Sequence, residues 1–242
     1  MKKLLLLFCM LACFTQSSLA ASNITRLDLL TQAEFRILSE DLGSALSYKP
    51  ITPSEPLGIS GFDLGLEVTS TDMKRSSQAM SKASNNNGSS ISNLYVPKLH
   101  IAKGLPFNLD IAAFYSSIPS TNIKLYGAEL RYAILEGGVT SPAVAIRGSY
   151  TKLKGVTQLA FDTKGLDISI SKGLAMFTPY VGIGRVYVNS TPDATTGRTA
   201  EKFNQSKVFG GINMNFGLTN FALELDKTGS AKSYGAKLGF RF

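Results

Sequence analysis

The chain has no tryptophan, one histidine and two cysteines in 242 residues. Both cysteines, Cys9 and Cys13, fall near the start. A chain trimmed of that segment has no thiol, which excludes disulfide scaffolds, Cys-ligated zinc, iron–sulfur clusters and thiol nucleophiles together. The lone His100 excludes sites built on two or more imidazole ligands, so no metal or other cofactor is expected. Charge is scarce as well: Asp, Glu, Lys and Arg make up 17% of the chain, below the roughly 25% of a soluble domain. With 44% apolar residues, that balance is the opposite of a disordered chain's. Long apolar runs are missing too. The longest, from Leu4 to Phe14, falls well short of the roughly 20 residues a membrane-spanning helix needs.

That run lies between Lys2-Lys3 and the small residues of Ser18-Leu19-Ala20. A positive start, an apolar middle and a small-residue end make a secretory leader, residues 1–20, removed after Ala20. Leu11-Ala12-Cys13 suggests a lipoprotein signal instead, but Met10 fits that pattern poorly.

Residues 21–56 carry one helical pattern and a proline spacer. Thr31 with Glu34 three residues on forms a capping box. Phe35, Leu38, Leu42, Ala45 and Leu46 then recur on one face of a 3.6-residue period, predicting an amphipathic helix over 31–46. Pro50, Pro53 and Pro56 at a spacing of three favour an extended polyproline strut.

From Leu57 on no helix is expected, and period two takes over. Phe62, Leu64, Leu66 and Val68 alternate with Gly61, Asp63, Gly65 and Glu67. Tyr126, Leu130, Tyr132 and Ile134 alternate with Gly127, Glu129 and Arg131. The same happens around Val144–Tyr150, Val208–Phe216, Phe221–Leu225 and Tyr234–Phe242. One face is apolar and the other holds charge or glycine, the dyad pattern of a membrane barrel. The strands predicted are 58–70, 92–102, 109–117, 123–134, 143–153, 157–171, 179–189, 206–217, 221–228 and 232–242, with a bulge near Gly165. The fold class is therefore all-β: an antiparallel up-and-down transmembrane β-barrel of about ten strands (8–12), residues 57–242, with one N-terminal amphipathic helix. Alternate connections are long, Thr71–Ile91 and Ser190–Gln205, or short; long loops lie outside and short turns on the periplasmic side. Outward aromatics sort by depth, with Tyr132, Tyr180, Phe216, Phe221 and Phe240 at one end and Tyr115, Tyr126, Tyr150 and Tyr234 at the other, as two interfacial girdles.

The last strand, Tyr234-Gly-Ala-Lys-Leu-Gly-Phe-Arg-Phe242, resembles the C-terminal signature of bacterial outer-membrane β-barrel proteins. Thr178-Pro-Tyr-Val-Gly-Ile-Gly-Arg185 is similar to strands of small barrels of that kind. The resemblance covers roughly 57–242 and assigns no functional subfamily. It implies an outer-membrane location, a terminal Phe242 read by the barrel-assembly machinery, and contact with outer-membrane lipid and lipopolysaccharide.

The inward face should hold Asp63, Glu67, Lys98, His100, Asp110, Glu129, Arg131, Arg147, Asp167, Arg185, Lys207, Glu224, Asp226, Lys237 and Arg241. In a narrow barrel such groups fill the lumen as paired charges, or line a selective path for a small solute. His100 has no neighbouring Ser and lies near the periplasmic turn, so no catalytic residue is assigned and no enzyme is expected. Lys74, Arg75 and Lys82 in the first long loop are candidates for pairing with lipopolysaccharide phosphates. The formal charge of +8 comes without a nucleic-acid motif, so no nucleic acid is expected.

Two roles follow. The first is a narrow channel or transport barrel for small or amphipathic solutes, with Phe35, Leu38 and Leu42 on a plug or lid helix. The second is a non-transporting structural or surface-interaction barrel using its outer loops. A monomer is expected in both. The helix is placed on the periplasmic side, at the mouth in preference to the lumen.

Overall fold

A computed structural model describes residues 23–84, 91–119, 121–138 and 140–242. The leader with Cys9 and Cys13, and the Asn- and Ser-rich run at 85–90, lie outside the described residues. Ten strands follow one another in the chain: β1 Phe62–Asp72, β2 Asn93–Gly104, β3 Leu109–Ser117, β4 Lys124–Glu136, β5 Ala143–Lys154, β6 Leu159–Ser171, β7 Phe177–Pro192, β8 Glu201–Phe216, β9 Thr219–Thr228 and β10 Ala231–Arg241. Each pairs antiparallel with the next, and β1 pairs with β10 from Asp63↔Arg241 to Thr71↔Ser233, so the sheet closes. Closure leaves no edge strand, which is what lets a sheet stand in lipid.

The alternation that predicted the strands also sets the barrel's two faces. Leu64, Leu66, Leu130, Ile168, Val181, Ile183, Val208 and Leu225 are exposed on the outer wall. The residues between them are buried inside. A continuous outward belt of Leu, Ile and Val is stable only against hydrocarbon. Tyr115, Tyr126, Tyr150 and Tyr234 border it at the long-loop end, and Tyr132, Phe216 and Phe240 at the other. The protein is thus an outer-membrane barrel; the end with the long connections is termed the outer end, and the end with the short turns the periplasmic end.

The structure corrects several expectations. The bulge is absent at Gly165, where register runs unbroken through Ser149↔Gly165↔Val186. It lies between Ala133 and Leu135 instead. The apparent change of phase in β6 has another cause: Leu159 and Phe161 face inward because the lumen is apolar at that end. Tyr180 faces in rather than out, donating to Glu224 Oε2 at 3.0 Å. Arg185 faces out rather than in. β7 and β8 are longer than predicted, their tips Asn189–Pro192 and Glu201–Gln205 projecting past the apolar belt where alternation no longer marks them. Two short helical elements sit in the long loops, Ser77–Ala83 and the 3-10 turn Ala194–Thr196. Both are too short to show a period and are held by tertiary contact.

Phe242 closes the seam although it follows β10. Its amide donates to Phe62 O at 3.1 Å, Phe62 N donates to Phe242 O at 2.8 Å, and the two rings stack at 5.9 Å. Deleting Phe242 removes both bonds and the stack. Outer-membrane levels of folded barrel, read from the fast-migrating unboiled gel band, should fall several-fold; normal levels would show that the seam closes without it.

Candidate functional site: the filled lumen

The predicted helix forms as α1, Gln32–Leu46, with its capping box intact: Glu34 N donates to Thr31 Oγ1 at 3.2 Å and Thr31 N to Glu34 Oε2 at 2.8 Å. Its position is not the expected one. The helix stands inside the outer half of the barrel, packed against β1, β2, β7, β9 and β10. Phe35, Leu38, Leu42, Ala45 and Leu46 are buried in one cluster with inward residues such as Leu94, Val96, Leu125, Leu153, Phe161, Val186 and Val188. Ser39 Oγ meets Ser190 Oγ of β7 at 2.8 Å, and Gln205 of β8 donates to Glu40 O at 3.0 Å. Gly43 lies so close to β7 that a Cβ there would meet Val188 Cγ2 at 2.7 Å. Glycine is what allows the approach.

The outer mouth is closed over this helix. Thr25 N and Arg26 N donate to Ala83 O at 3.0 and 2.9 Å, tying the chain before α1 to the second helix, α2 (Ser77–Ala83). Leu27 N donates to Gln158 Oε1 at 2.9 Å. Ion pairs ring the helix: Glu34–Lys82 at 2.5 Å, Arg36–Glu201 at 2.9 Å and Arg75–Glu40 at 3.2 Å. Lys82 beside Glu34 holds that carboxyl below its ordinary range. Two of the loop cations considered for lipid phosphate, Arg75 and Lys82, are therefore engaged with α1, and Lys74 pairs with Asp72 at 3.5 Å.

Below α1 the chain runs on down the lumen to β1. It is not a polyproline strut: Ile51 takes a positive φ of 46°, and Lys49–Ser54 are buried. Lys207 of β8 donates to Tyr48 O at 2.9 Å. Arg131 of β4 donates to Pro53 O at 2.6 Å. Ser54 binds Ser169 and Ser171 of β6. Leu57 N reaches Asp110 at 3.1 Å.

Around this thread the lower lumen is charged; Arg185, expected there, faces the outer wall instead. Arg147 sits between Glu129 at 3.1 Å and Asp167 at 3.2 Å. Lys237 pairs with Asp63 at 2.6 Å and Arg131 with Asp110 at 2.6 Å. Lys98 and His100 flank Glu67 at 3.8 and 3.6 Å. His100 Nε2 is 3.2 Å from Tyr48 Oη. Lys49, from the spacer, adds a cation 3.8 Å from Asp226. Lys49 and Tyr48 are the members that sequence reasoning missed. The only signal was a lone lysine before Pro50, with nothing to show that the segment enters the barrel. Among the described residues no cluster of carboxylates, His or Cys is arranged to hold a metal ion.

No protein-family model and no curated protein matches the chain. Solved structures with some likeness include a loop L8 deletion mutant of OmpT, an outer membrane protein of Vibrio cholerae, at 11% identity and a TM-score of 0.32. That match covers 61% of this chain and only 54% of the other, so little more than half of that protein is spanned. Neisserial surface protein A is 10% identical over 75% of this chain and 94% of its own, at a TM-score of 0.30. Ail, the attachment invasion locus protein of Yersinia pestis, is 10% identical over 75% and 97%, at 0.32. At such values the likeness adds nothing to what the closed sheet itself displays.

Proposed function

We propose that this protein is a self-plugged outer-membrane barrel that works as a closed, monomeric surface element, presenting the residues before α1 together with its two long loops at the cell exterior. The observation that carries this reading is the filled lumen: residues 24–54 occupy it from the outer mouth to the lower charged layer. An open pore would leave that path to water. A catalytic role finds no support in the lumen, where His100 contacts a carboxylate and a phenol, and the carboxylates of Asp110, Glu129 and Asp167 are matched by guanidinium groups. Transport remains the second reading. It is favoured by the charged lower lumen, which would form a selective polar path if α1 withdrew.

Surface presentation is tested on intact cells with a membrane-impermeant maleimide. Leu29 lies just before α1 at the outer mouth and is exposed, as is Leu218 in a short turn at the other end. Leu29→Cys should label on intact cells and Leu218→Cys only after permeabilisation. The reverse pattern would overturn the proposal.

A further inference from the structure

Arg185 stands on the outer wall, where a lipid-facing charge is expensive unless it meets an anion. Ile183 precedes it and Tyr187 follows it on the same face of β7, so it lies at the upper border of the apolar belt. Its guanidinium donates to Asn204 Oδ1 at 2.8 Å and has no carboxylate partner among the described residues.

The residues directly opposite it are Leu166 and Ser206, and the nearest cation, Lys164, is on the diagonal. Lys164 of β6 is opposite Tyr187, which is opposite Asn204 of β8. One step further out, Lys152 of β5 is opposite Asp162, and Asn189 is opposite Lys202. Opposed side chains on one face of a sheet stand about 5 Å apart and diagonal ones about 7–8 Å. Four cations from four consecutive strands thus share one patch. All four side chains are exposed, and none of them makes an ion pair among the described residues. A shallow groove runs through the patch, lined by Asp162, Lys164, Tyr187, Asn189, Lys202 and Asn204; its one carboxylate, Asp162, accepts from Asn189 at 3.1 Å, which leaves the patch with a net positive charge. The opposite wall differs: at the same end β1–β3 present Ser70, Asn93, Tyr95, Tyr115 and Ser117, without a cation.

We infer that Lys152, Lys164, Arg185 and Lys202 form a binding site for a phosphorylated acyl glycolipid of the outer leaflet. The acyl chains would lie on the belt formed by Leu166, Ile183 and Val208. The headgroup phosphates would sit on the cations at the tyrosine border, with Tyr187 and Asn204 offering hydrogen bonds to the sugar. Arginine matches a phosphate with two parallel donors, while the longer lysines reach up from the wall to the same headgroup. Of the loop cations first considered for this role, Arg75 and Lys82 are engaged with α1 and Lys74 with Asp72; the wall cations have no carboxylate in ion-pair contact and can take it.

The test is titration of the purified full-length barrel in nonionic detergent, followed by native mass spectrometry. The probes are bis-phosphoryl lipid A, its mono-phosphoryl form, phosphatidylglycerol and inorganic phosphate. The triple variant Lys164→Gln, Arg185→Gln, Lys202→Gln changes only outward side chains, and its unboiled gel mobility verifies folding. It should bind bis-phosphoryl lipid A about tenfold more weakly, if each exposed charge pair contributes a factor of two to three. The control Lys227→Gln with Lys232→Gln, on β9 and β10, should change binding less than about twofold. An unaffected triple variant would overturn the site, and an equal loss in the control would show diffuse surface charge instead. Phosphatidylglycerol or inorganic phosphate binding as tightly as lipid A would remove the glycolipid assignment.

Discussion

Planar bilayers containing the full chain are expected to stay electrically silent, while a variant lacking residues 23–56 is expected to give conductance steps. The silence follows from the burial of α1. Full burial of a Leu or Phe side chain is worth about 1.5–3 kcal/mol, and Phe35, Leu38, Leu42 and Leu46 are all at most 2% exposed. Those four alone hold the helix in place by about 6–12 kcal/mol, an upper estimate because an undocked segment keeps some of its own contacts. At one decade per 1.4 kcal/mol, the lower end of that range corresponds to an undocked fraction of about one in ten thousand. Where the deletion fails to assemble, Leu38→Asp with Leu42→Asp opens the same path by making burial of the helix unfavourable, leaving every strand unchanged. A disulfide through Ser39→Cys and Ser190→Cys, whose hydroxyls now touch, pins α1 to β7. Steps from the native chain that this cross-link abolishes and a reductant restores would replace the closed reading with a gated one. Silence from both opened variants would show that the lower charged layer seals the barrel by itself.

Replacing Arg147 with Met is expected to destabilise the barrel by about 3–5 kcal/mol, since it leaves Glu129 and Asp167 buried without their guanidinium. Arg147 is 1% exposed and its charge cannot be replaced by bulk water. Lys207, 3.9 Å from Asp167, compensates only in part. Adding Glu129→Gln and Asp167→Asn removes the stranded charge, and the triple variant should recover to within about 1–2 kcal/mol of the native chain. Urea unfolding in lipid vesicles, read by the shift of the unboiled band, measures all three. A single variant as stable as the native chain would mean that the ion cluster contributes nothing. A triple variant no better than the single would mean that Arg147 acts through packing over Phe209, whose ring lies 5.9 Å away.

The strands were legible because a barrel wall between hydrocarbon and a polar interior imposes period two on each of them. The same rule failed where its premise failed. At the outer ends of β2, β4, β5 and β6 the interior is α1 rather than charge, so Leu94, Leu125, Leu153 and Phe161 are apolar on the inside and the contrast between faces disappears. Arg185 was assigned by its charge, although Val181 and Ile183 on the same parity already marked that face as outward; Tyr180 was misplaced with it. The helix was visible through its capping box and apolar stripe, but its destination was not. A tether to the periplasmic end of β1 was legible, and it suggested a lid there. The fifteen residues from Ser47 to Gly61, at up to about 3.3 Å each when extended, easily span the roughly 30 Å of the hydrocarbon core. Nothing in their composition says whether they run up through the lumen or fold beneath it. Lys49 became legible only once Asp226 was seen facing it.

The thread through the lumen also constrains how the barrel is made. The seam between β1 and β10 runs the height of the wall, and the chain enters the lumen from the short-turn end, while Thr25–Leu27 are fastened at the opposite mouth. A finished cylinder would have to admit Arg26, Asp28 and a full helix past the buried ion pairs of Arg147 with Glu129 and Asp167. Wrapping the hairpins around the segment before the seam zips avoids that passage altogether. On that order of events the N-terminal stretch is a mandrel, and the cross-section of the cylinder records the object it was wound on.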